Sequence, residues 1–202
     1  RLNNNFTHKL SIVEHLLDGT PQQVIGTSRN DMEKAPIVSG VHHFLKRREF
    51  IPSQDKLNSV EWGEVNAEWS YTIMAEFQSP YALKPISVLF KHSALHPRFN
   101  DDHIVIYGEE GAITITGCYG QGDLFIYNSH TGWEKQSVPP HIANQLPPID
   151  DDTQRNWTVL MQEFVASIQG LPHQPYQTFA DGWRYQDIID HIRANKAWYS
   201  TM

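Results

Sequence analysis

The feature that most restricts the fold of this chain is a long series of β-like segments between Ser59 and Val138. Where the alternation is clearest, Trp69, Tyr71, Ile73 and Ala75 fall on one face, and the intervening residues fall on the other. The segments follow one another without helical patterns between them. This order favours an antiparallel sheet over a repeating β-α-β domain.

Short turns punctuate this region. Two β-branched runs flank residues 108–111 in "HIVIYGEEGAITIT", which predicts a hairpin because glycine supplies positive φ at low cost. "DLFIYNS" and "GWEKQSV" predict a second pair of strands around a His-Thr-Gly turn. The cluster "GCYGQGD" is interpreted as a turn between strands, with Cys118 an inert strand residue.

Helical patterns lie on both sides of the strands. Residues 7–18 predict a helix, with Gly19 as its left-handed C-terminal cap. A proline-rich connector precedes a helix that Asp152 or Thr153 caps and Gly170 ends. Thr178 and Asp181 predict a capping box for the last helix, whose buried face is Tyr185, Ile188, Ile189 and Ile192. The prediction is an α+β fold: an open, predominantly antiparallel sheet with helices on one face.

Composition excludes several classes of function. With 16 basic and 23 acidic residues the net charge is −7, which argues against nucleic acid or an anionic membrane as the partner. A single cysteine excludes an internal disulfide framework and favours a reducing, cytoplasmic setting. The sequence has no glycine-rich strand–helix turn for a nicotinamide cofactor, no P-loop and no G-x-S-x-G motif.

The last third of the sequence carries the most specific pattern. Phe164 and Ile168 on a helix, Pro172 in a loop and then "TFADG" opening a final helix resemble the closing segment of the glucose-fructose oxidoreductase and inositol dehydrogenase family, Gfo/Idh/MocA. The hairpin "IVIYGEEGAITITG" resembles that family's G-T-E-G-x-I strand pair, and Trp133 falls where a following strand often has Trp. "HKLSIVEHLLDGTPQQVIG" looks like the start of the family's C-terminal domain.

The resemblance implies a domain organisation. Residues 1–202 are expected to be a single substrate-binding and oligomerisation domain with the dihydrodipicolinate-reductase-like fold of the family's C-terminal half, and to be part of a longer two-domain protein. The family's Rossmann domain, which binds NAD or NADP, is not in this sequence. We therefore expect no cofactor in this chain, and no activity from this chain alone.

The motif "VSGVHHFL" resembles in part the family's D-x-G-x-H-x-x-D. Gly40 and His42 match, whereas Val38 and Leu45 stand where acids are expected. Histidine suits a general base because its pKa lies near working pH. By resemblance His42 is the candidate catalytic acid/base, and His43, Asn5 and Arg98 are candidates for substrate contact. A structural or solvent-facing His42 is the alternative.

Other interpretations of the charged residues remain open. His42 and His43 are adjacent, so on a strand they would point to opposite faces and could not easily share a metal ion. The run from Lys46 to Glu49 is a solvated loop, or alternatively a site for a carboxylate or phosphate. "EKAP" at residues 33–36 is similar to the family's E-K-P motif, which carries a lysine. We reject this match because the family's motif lies in the Rossmann domain, ahead of the first helix of this domain, whereas "EKAP" follows that helix.

The resemblance thus implies the C-terminal domain of an NAD(P)-dependent oxidoreductase acting on a sugar-like or cyclitol-like alcohol. Its partners would be a small-molecule substrate and a second copy of the protein, bound through the open face of the sheet as a homodimer or higher oligomer. The alternative is a non-catalytic binding or scaffolding domain that keeps the fold and has lost the acid at Val38.

Overall fold

A computed structural model describes residues 2–40, 50–95, 102–117, 122–194 and 199–200 of the chain. These residues form two compact units, which we describe separately. The first unit comprises residues 1–96 and 185–202, and the second comprises residues 97–184. The prediction of one domain over residues 1–202 concerns the two units together and stays a prediction.

The first unit opens with one turn of π-helix and an α-helix that leads directly into the sheet. Its elements are a π-helix (Leu2–Phe6), α1 (Thr7–Leu17), β1 (Thr20–Arg29), β2 (Lys34–Pro36), a 3-10 helix (Gln54–Lys56), β3 (Trp62–Glu64), β4 (Ser70–Gln78), β5 (Ile86–Ser93) and β10 (Tyr199–Ser200). The four strands β10-β1-β4-β5 form one antiparallel sheet in that order, and β2 pairs with β3 in a separate antiparallel ribbon.

The core of the first unit lies on one face of this sheet. Along β4 the residues Tyr71, Ile73, Ala75 and Phe77 are buried, while Thr72 and Met74 between them are exposed. Helical side chains cover the buried face: Leu2, Phe6, Leu10, Leu17, Tyr185, Ile188, Ile189 and Ile192. Each large apolar side chain buried in this way contributes about 1.5–3 kcal/mol. The predicted helices on one face of an open sheet are therefore confirmed.

The second unit contains an up-and-down sheet of four consecutive antiparallel strands, followed by helices. The elements are β6 (His103–Tyr107), β7 (Gly111–Thr116), β8 (Leu124–Asn128), β9 (Gly132–Gln136), α2 (Pro140–Ala143), α3 (Asp152–Ile168) and α4 (Phe179–Arg193). Helix α4 begins in this unit and continues into the first unit at Tyr185. None of the helices within the described ranges is long and apolar enough to cross a membrane.

The α+β, antiparallel fold class is confirmed, and so are both predicted hairpins. Gly108 donates its backbone N–H to the carbonyl of Gly111 at 2.8 Å, closing the first turn, and Gly132 has φ of 78° in the second. Among the described residues the strands are divided between two four-stranded sheets and the two-stranded ribbon β2–β3, a detail that sequence periodicity does not reveal.

Two predicted helix ends are wrong by one residue. The left-handed position after α1 belongs to Asp18, with φ of 46°, and not to Gly19. The N-cap of α3 is Asp151, whose carboxylate accepts a hydrogen bond from the backbone N–H of Gln154 at 2.6 Å. Aspartate tolerates the left-handed conformation at position 18 because its short polar side chain can hydrogen-bond locally. At position 151 its carboxylate supplies the N-cap that Asp152 or Thr153 was expected to provide.

Candidate functional site

Of the four residues predicted for the site, one is described by the structure. Asn5 lies in the π-helix of the first unit and is 8% exposed. His42, His43 and Arg98 fall outside the described residues, as do Cys118 and the basic run at 46–49. The site can therefore be built from Asn5 and from the described residues that flank the other three.

The segment that carries the histidine pair is flanked by a short antiparallel ribbon. Strands β2 and β3 pair Lys34 with Glu64 and Pro36 with Trp62, and the Lys34 ammonium lies 3.3 Å from the Glu64 carboxylate. Past the strands, Ile37 donates its backbone N–H to the carbonyl of Glu61 at 2.8 Å. The antiparallel pairing therefore continues by one residue beyond the three residues of each strand.

Gly40, the last described residue before the segment 41–49, has a conformation that favours glycine. Its φ is 78°, and a β-carbon at this position would lie 3.9 Å from Cε1 of Phe50, the first described residue after that segment. The two flanks of residues 41–49 are thus close together. The backbone conformation explains the glycine at this position of the motif, because residues with an L side chain rarely adopt this φ. Val38, where the family has an acid, is 40% exposed.

Asn5 is joined to the sheet through an aromatic residue. The Tyr71 hydroxyl donates a hydrogen bond of 2.5 Å to the Asn5 side-chain carbonyl, and both residues are buried. The Tyr71 ring in turn stacks on His92, its cross-strand partner on β5, with ring centroids 5.3 Å apart and planes at 24°. Phe6 packs edge-on against Tyr71 at 5.7 Å.

This group lies near the end of the sheet that leads to Arg98. Trp69 donates its N–H to the carbonyl of Arg29, and Ala94 donates its N–H to the carbonyl of Trp69, both at 2.9 Å. These bonds close the sheet just beyond Tyr71 and His92. The chain then passes through Leu95 into the segment that contains Arg98. The fold therefore holds Asn5 within a few residues of the strand end from which that segment departs.

A charged cluster that the sequence analysis did not identify lies beside Asn5. The Arg193 guanidinium is 2.5 Å from the Glu68 carboxylate and also donates to the side-chain carbonyl of Asn3. Asn3 donates to the Gln186 side chain at 2.7 Å. Burial by itself would raise the pKa of Glu68, but the hydrogen bond from Arg193 and its positive charge outweigh burial, and the pKa falls to about 2.

A second acidic residue contacts the start of β4. Ser70 donates a hydrogen bond to the Asp31 carboxylate, and the Arg29 guanidinium lies 3.5 Å from the same side chain. With Glu68 paired to Arg193, both carboxylates at this end of the sheet are engaged by donors. Among the residues that the structure describes, no group of three or more His, Cys, Asp or Glu could hold a metal ion.

The described part of the site centres on two buried polar side chains, Asn5 and Tyr71, which are hydrogen-bonded to each other. Its polar groups are the Asn5 amide, the Tyr71 phenol and the His92 imidazole. The nearby charges of Glu68 and Arg193 are paired with each other. Sequence alternation did predict that Tyr71 shares one face of its strand with Ile73 and Ala75, and the structure shows that this face is buried. The pairing of Tyr71 with His92, and that of Glu68 with Arg193 across 125 positions, had no signal in a single sequence because each depends on strand register and helix placement.

Comparison with solved structures identifies the fold. An oxidoreductase domain protein from Kribbella flavida matches with a TM-score of 0.67 and 16% identity, over 98% of this chain and 50% of its own. Levoglucosan dehydrogenase in complex with NADH and L-sorbose also matches with a TM-score of 0.67 and 16% identity, over 99% of this chain and 50% of its own. The chain thus spans about half the length of these proteins.

A regulatory protein shares the same fold. The transcriptional regulator Gal80p from Kluyveromyces lactis matches at 13% identity with a TM-score of 0.62, over 98% of this chain and 45% of its own. No family model and no curated protein matches the sequence. At these identities the similarity is one of fold. It confirms the resemblance seen in the sequence at that level, and this chain has the fold of the C-terminal domain of Gfo/Idh/MocA-type oxidoreductases.

Proposed function

We propose that this chain is the substrate-binding and oligomerisation domain of an NAD(P)-dependent oxidoreductase. The observation that carries the proposal is the fold match, over 99% of the chain, to half of a levoglucosan dehydrogenase whose structure holds NADH and L-sorbose. The substrate would be a sugar-like or cyclitol-like alcohol. NAD or NADP would be bound by a domain that is not part of this chain, in the cytoplasm.

In this proposal His42 would accept the proton of the substrate hydroxyl as the alcohol is oxidised to a carbonyl. NAD or NADP, when bound by the other domain, would supply the acceptor for the hydride from the carbon that bears this hydroxyl. An imidazole suits this step because its pKa lies near neutrality. His43, Asn5 and Arg98 would bind the substrate. Two features support these roles: the glycine geometry at Gly40, two residues before His42, and the position of Asn5 near the strand end that leads to Arg98.

The test is turnover of NAD+ and NADP+ by the full-length protein with a panel of sugars and cyclitols. We expect His42→Ala to lower kcat by roughly 100-fold or more, the usual contribution of a general base. His15→Ala, on the exposed face of α1, is the matched control and should leave kcat unchanged. Equal activity of His42→Ala and the unsubstituted protein would remove His42 from the mechanism.

The proposed oligomer would form through the face of the first sheet that the helices leave open. Ile25, Met74 and Leu89 are cross-strand neighbours on this face, and Met74 and Leu89 are 44% and 64% exposed. Polar side chains surround them: Thr72 and Lys91 on one side, and Glu76 and Ser87 on the other. An apolar row with a polar rim is the usual composition of a subunit interface.

A second candidate function is a non-catalytic binding or scaffolding domain. The match to Gal80p and the presence of Val38 where an acid is expected both favour it. The two candidates differ in one assay. If the full-length protein binds a sugar but turns over neither NAD+ nor NADP+, and Val38→Asp restores turnover, then the domain has kept the site and lost its acid.

A further inference from the structure

The second unit carries a row of aromatic side chains across its sheet that the proposed function does not use. Register pairs Tyr107 with Ala112, Ala112 with Tyr127, and Tyr127 with Trp133. Directly paired residues of antiparallel strands share one face, so the four residues form a single row. Tyr107 is 82% exposed, Trp133 50% and Tyr127 38%. We name these residues the aromatic row.

The aromatic row lines an open cleft of about 740 Å³ between two turns at the same end of the sheet. Glu109 and Glu110 come from the β6–β7 turn, and Asn128, Ser129 and His130 come from the β8–β9 turn. Isolated exposed aromatic residues are common on protein surfaces, but several that line one concave surface mark a binding site.

The spacing within the row leaves room for one flat ring. Tyr107 and Tyr127 are separated by the β7 strand, hence by about 9.6 Å at the backbone, and the small Ala112 lies between them. A ring midway would lie about 4.8 Å from the line of each flanking side chain. A lean of about 1 Å by each aromatic side chain toward the ring would bring it to the 3.5–4.0 Å contact distance. Trp133 extends the Tyr127 side, since the two ring centroids are 5.4 Å apart.

The polar groups at both ends of the cleft define the class of ligand. The carboxylates of Glu109 and Glu110 accept hydrogen bonds, whereas the Ser129 hydroxyl and the His130 ring can donate or accept them. A sugar ring presents C–H groups to aromatic faces and hydroxyl groups around its edge, so it uses both kinds of surface. An alkylammonium ion would satisfy the rings and the carboxylates but would leave the second turn without a partner.

We propose that the aromatic row is a saccharide-binding site, in which one pyranose ring lies over Ala112 between Tyr107 and the Tyr127–Trp133 pair. Glu109 and Glu110 accept hydrogen bonds from its hydroxyl groups on one side, and Ser129 and His130 bind those on the other. The site does not depend on the proposed dehydrogenase function, because a scaffolding domain could carry it equally well.

The test is a titration of the ¹⁵N-labelled 202-residue chain with methyl β-D-glucopyranoside, followed by two-dimensional NMR. We expect saturable shifts at Ala112, His130 and the Trp133 indole, with a Kd of about 1 mM, which is the strength typical of so small a ligand. Tyr107→Ala should weaken binding by roughly fivefold to tenfold, in line with the loss of one aromatic contact.

Three controls make the result decisive. Tyr81→Ala removes a tyrosine of similar exposure, 74%, in the first unit and should leave the Kd unchanged. Tyr107→Leu keeps apolar volume without an aromatic face, and it should bind as weakly as Tyr107→Ala. Tetramethylammonium chloride should cause smaller shifts in the row than the glycoside does.

Any of three outcomes would overturn the proposal. The first is the absence of a saturable shift in the aromatic row up to 100 mM glycoside, which is about a hundredfold above the expected Kd. The second is tighter binding of tetramethylammonium than of the glycoside at the aromatic row, and the third is dimerisation of the chain that Tyr107→Ala abolishes while the glycoside has no effect. The last result would make the aromatic row a contact between two copies.

Discussion

At the scale of single residues, Gly19 is required by its surroundings rather than by its backbone angle. A β-carbon there would lie 2.1 Å from the carbonyl oxygen of Gln78. Gly182, within α4, has open space around the same position. We therefore expect Gly19→Ala to lower the free energy of unfolding by about 2–3 kcal/mol, because backbone atoms must move.

Gly182→Ala is the matched control for Gly19→Ala. It should raise the free energy of unfolding by about 0.5–1 kcal/mol, because alanine is the better helix former. Urea denaturation of both variants, followed by circular dichroism, gives the comparison. A Gly19→Ala variant as stable as the unsubstituted chain would show that the contact with Gln78 relaxes at little cost.

Glu68 makes the stability of the first unit depend on pH in the acidic range. Its pKa is about 2 in the folded chain against an ordinary 4.5, so the unfolded state binds the proton more readily. The stabilisation is present in full above pH of about 4.5 and is lost as the pH falls toward about 2. Since Arg193 is partly exposed, we expect the loss to be about 1–2 kcal/mol.

Thermal unfolding between pH 6 and pH 2 measures this dependence. Glu68→Gln should be less stable than the unsubstituted chain at pH 6 and should converge with it at pH 2. Glu64→Gln, at an exposed ion pair with Lys34, is the control and should change the profile little. Parallel profiles for Glu68→Gln and the unsubstituted chain would exclude Glu68 as the source of the acid dependence.

Single residues also show what the sequence could and could not predict. Asp18, and not Gly19, takes the left-handed position. Gly19 is instead explained by its close approach to Gln78, a residue distant in sequence. The set of residues that share one face of β4, Tyr71, Ile73 and Ala75, followed from alternation alone. The cross-strand partners of these residues could not be predicted in the same way, because the pairing of Tyr71 with His92 depends on the register of β5.

At the scale of elements, helix α4 depends on a reciprocal cap at its N-terminus. The Thr178 backbone N–H and hydroxyl both donate to the Asp181 carboxylate, at 2.8 and 2.7 Å. Burial alone would raise the pKa of Asp181, but the bonds from Thr178 and the charge of Arg184 outweigh it and hold the pKa below its ordinary value. The capping box predicted from the sequence is therefore confirmed.

Removal of this cap measures how much it contributes to the stability of α4. Thr178→Ala should lower the free energy of unfolding by about 0.5–2 kcal/mol. Thr158→Ala removes a hydroxyl that bonds the Gln154 carbonyl inside α3, and it should be neutral or slightly stabilising. Thermal unfolding of the two variants should therefore shift the Tm only for Thr178→Ala. Equal Tm values would mean that water replaces the cap without cost.

Elements whose signals are local were predicted well. The hairpins β6–β7 and β8–β9 and the capping box of α4 follow from turn chemistry within a few residues. The caps of α1 and α3 were predicted one residue away from their positions. The two-residue strand β10 and the ribbon β2–β3 were missed, because short strands have no periodicity of their own and exist through pairing with distant partners. Three of the four predicted site residues, His42, His43 and Arg98, lie outside the described residues, so their roles stay predictions.

At the scale of the whole molecule, the proposed subunit interface makes a prediction about mass. Leu89→Lys places a charge in the apolar row on the open face of the first sheet, and should convert an oligomer to a monomer at micromolar concentration. Leu83→Lys, at a fully exposed position between β4 and β5, is the matched control and should keep the mass unchanged. Light scattering after size exclusion reports both.

Two outcomes would contradict an interface at this face. One is a monomeric unsubstituted protein at micromolar concentration. The other is a Leu89→Lys variant with unaltered mass and unaltered stability, which would move the interface to another surface.

The buried hydrogen bond between Tyr185 and Glu14 joins positions 171 residues apart, and Leu2 and Phe6 share one core with Ile188 and Ile189. A ribosome adds 5–20 residues per second, so roughly ten to thirty seconds separate the synthesis of these partners. During that interval residues 97–184 emerge with every strand of their sheet adjacent in sequence, which is the arrangement of a fast folder. The segment in the middle of the sequence is therefore able to fold before the sheet that is built from both sides of it.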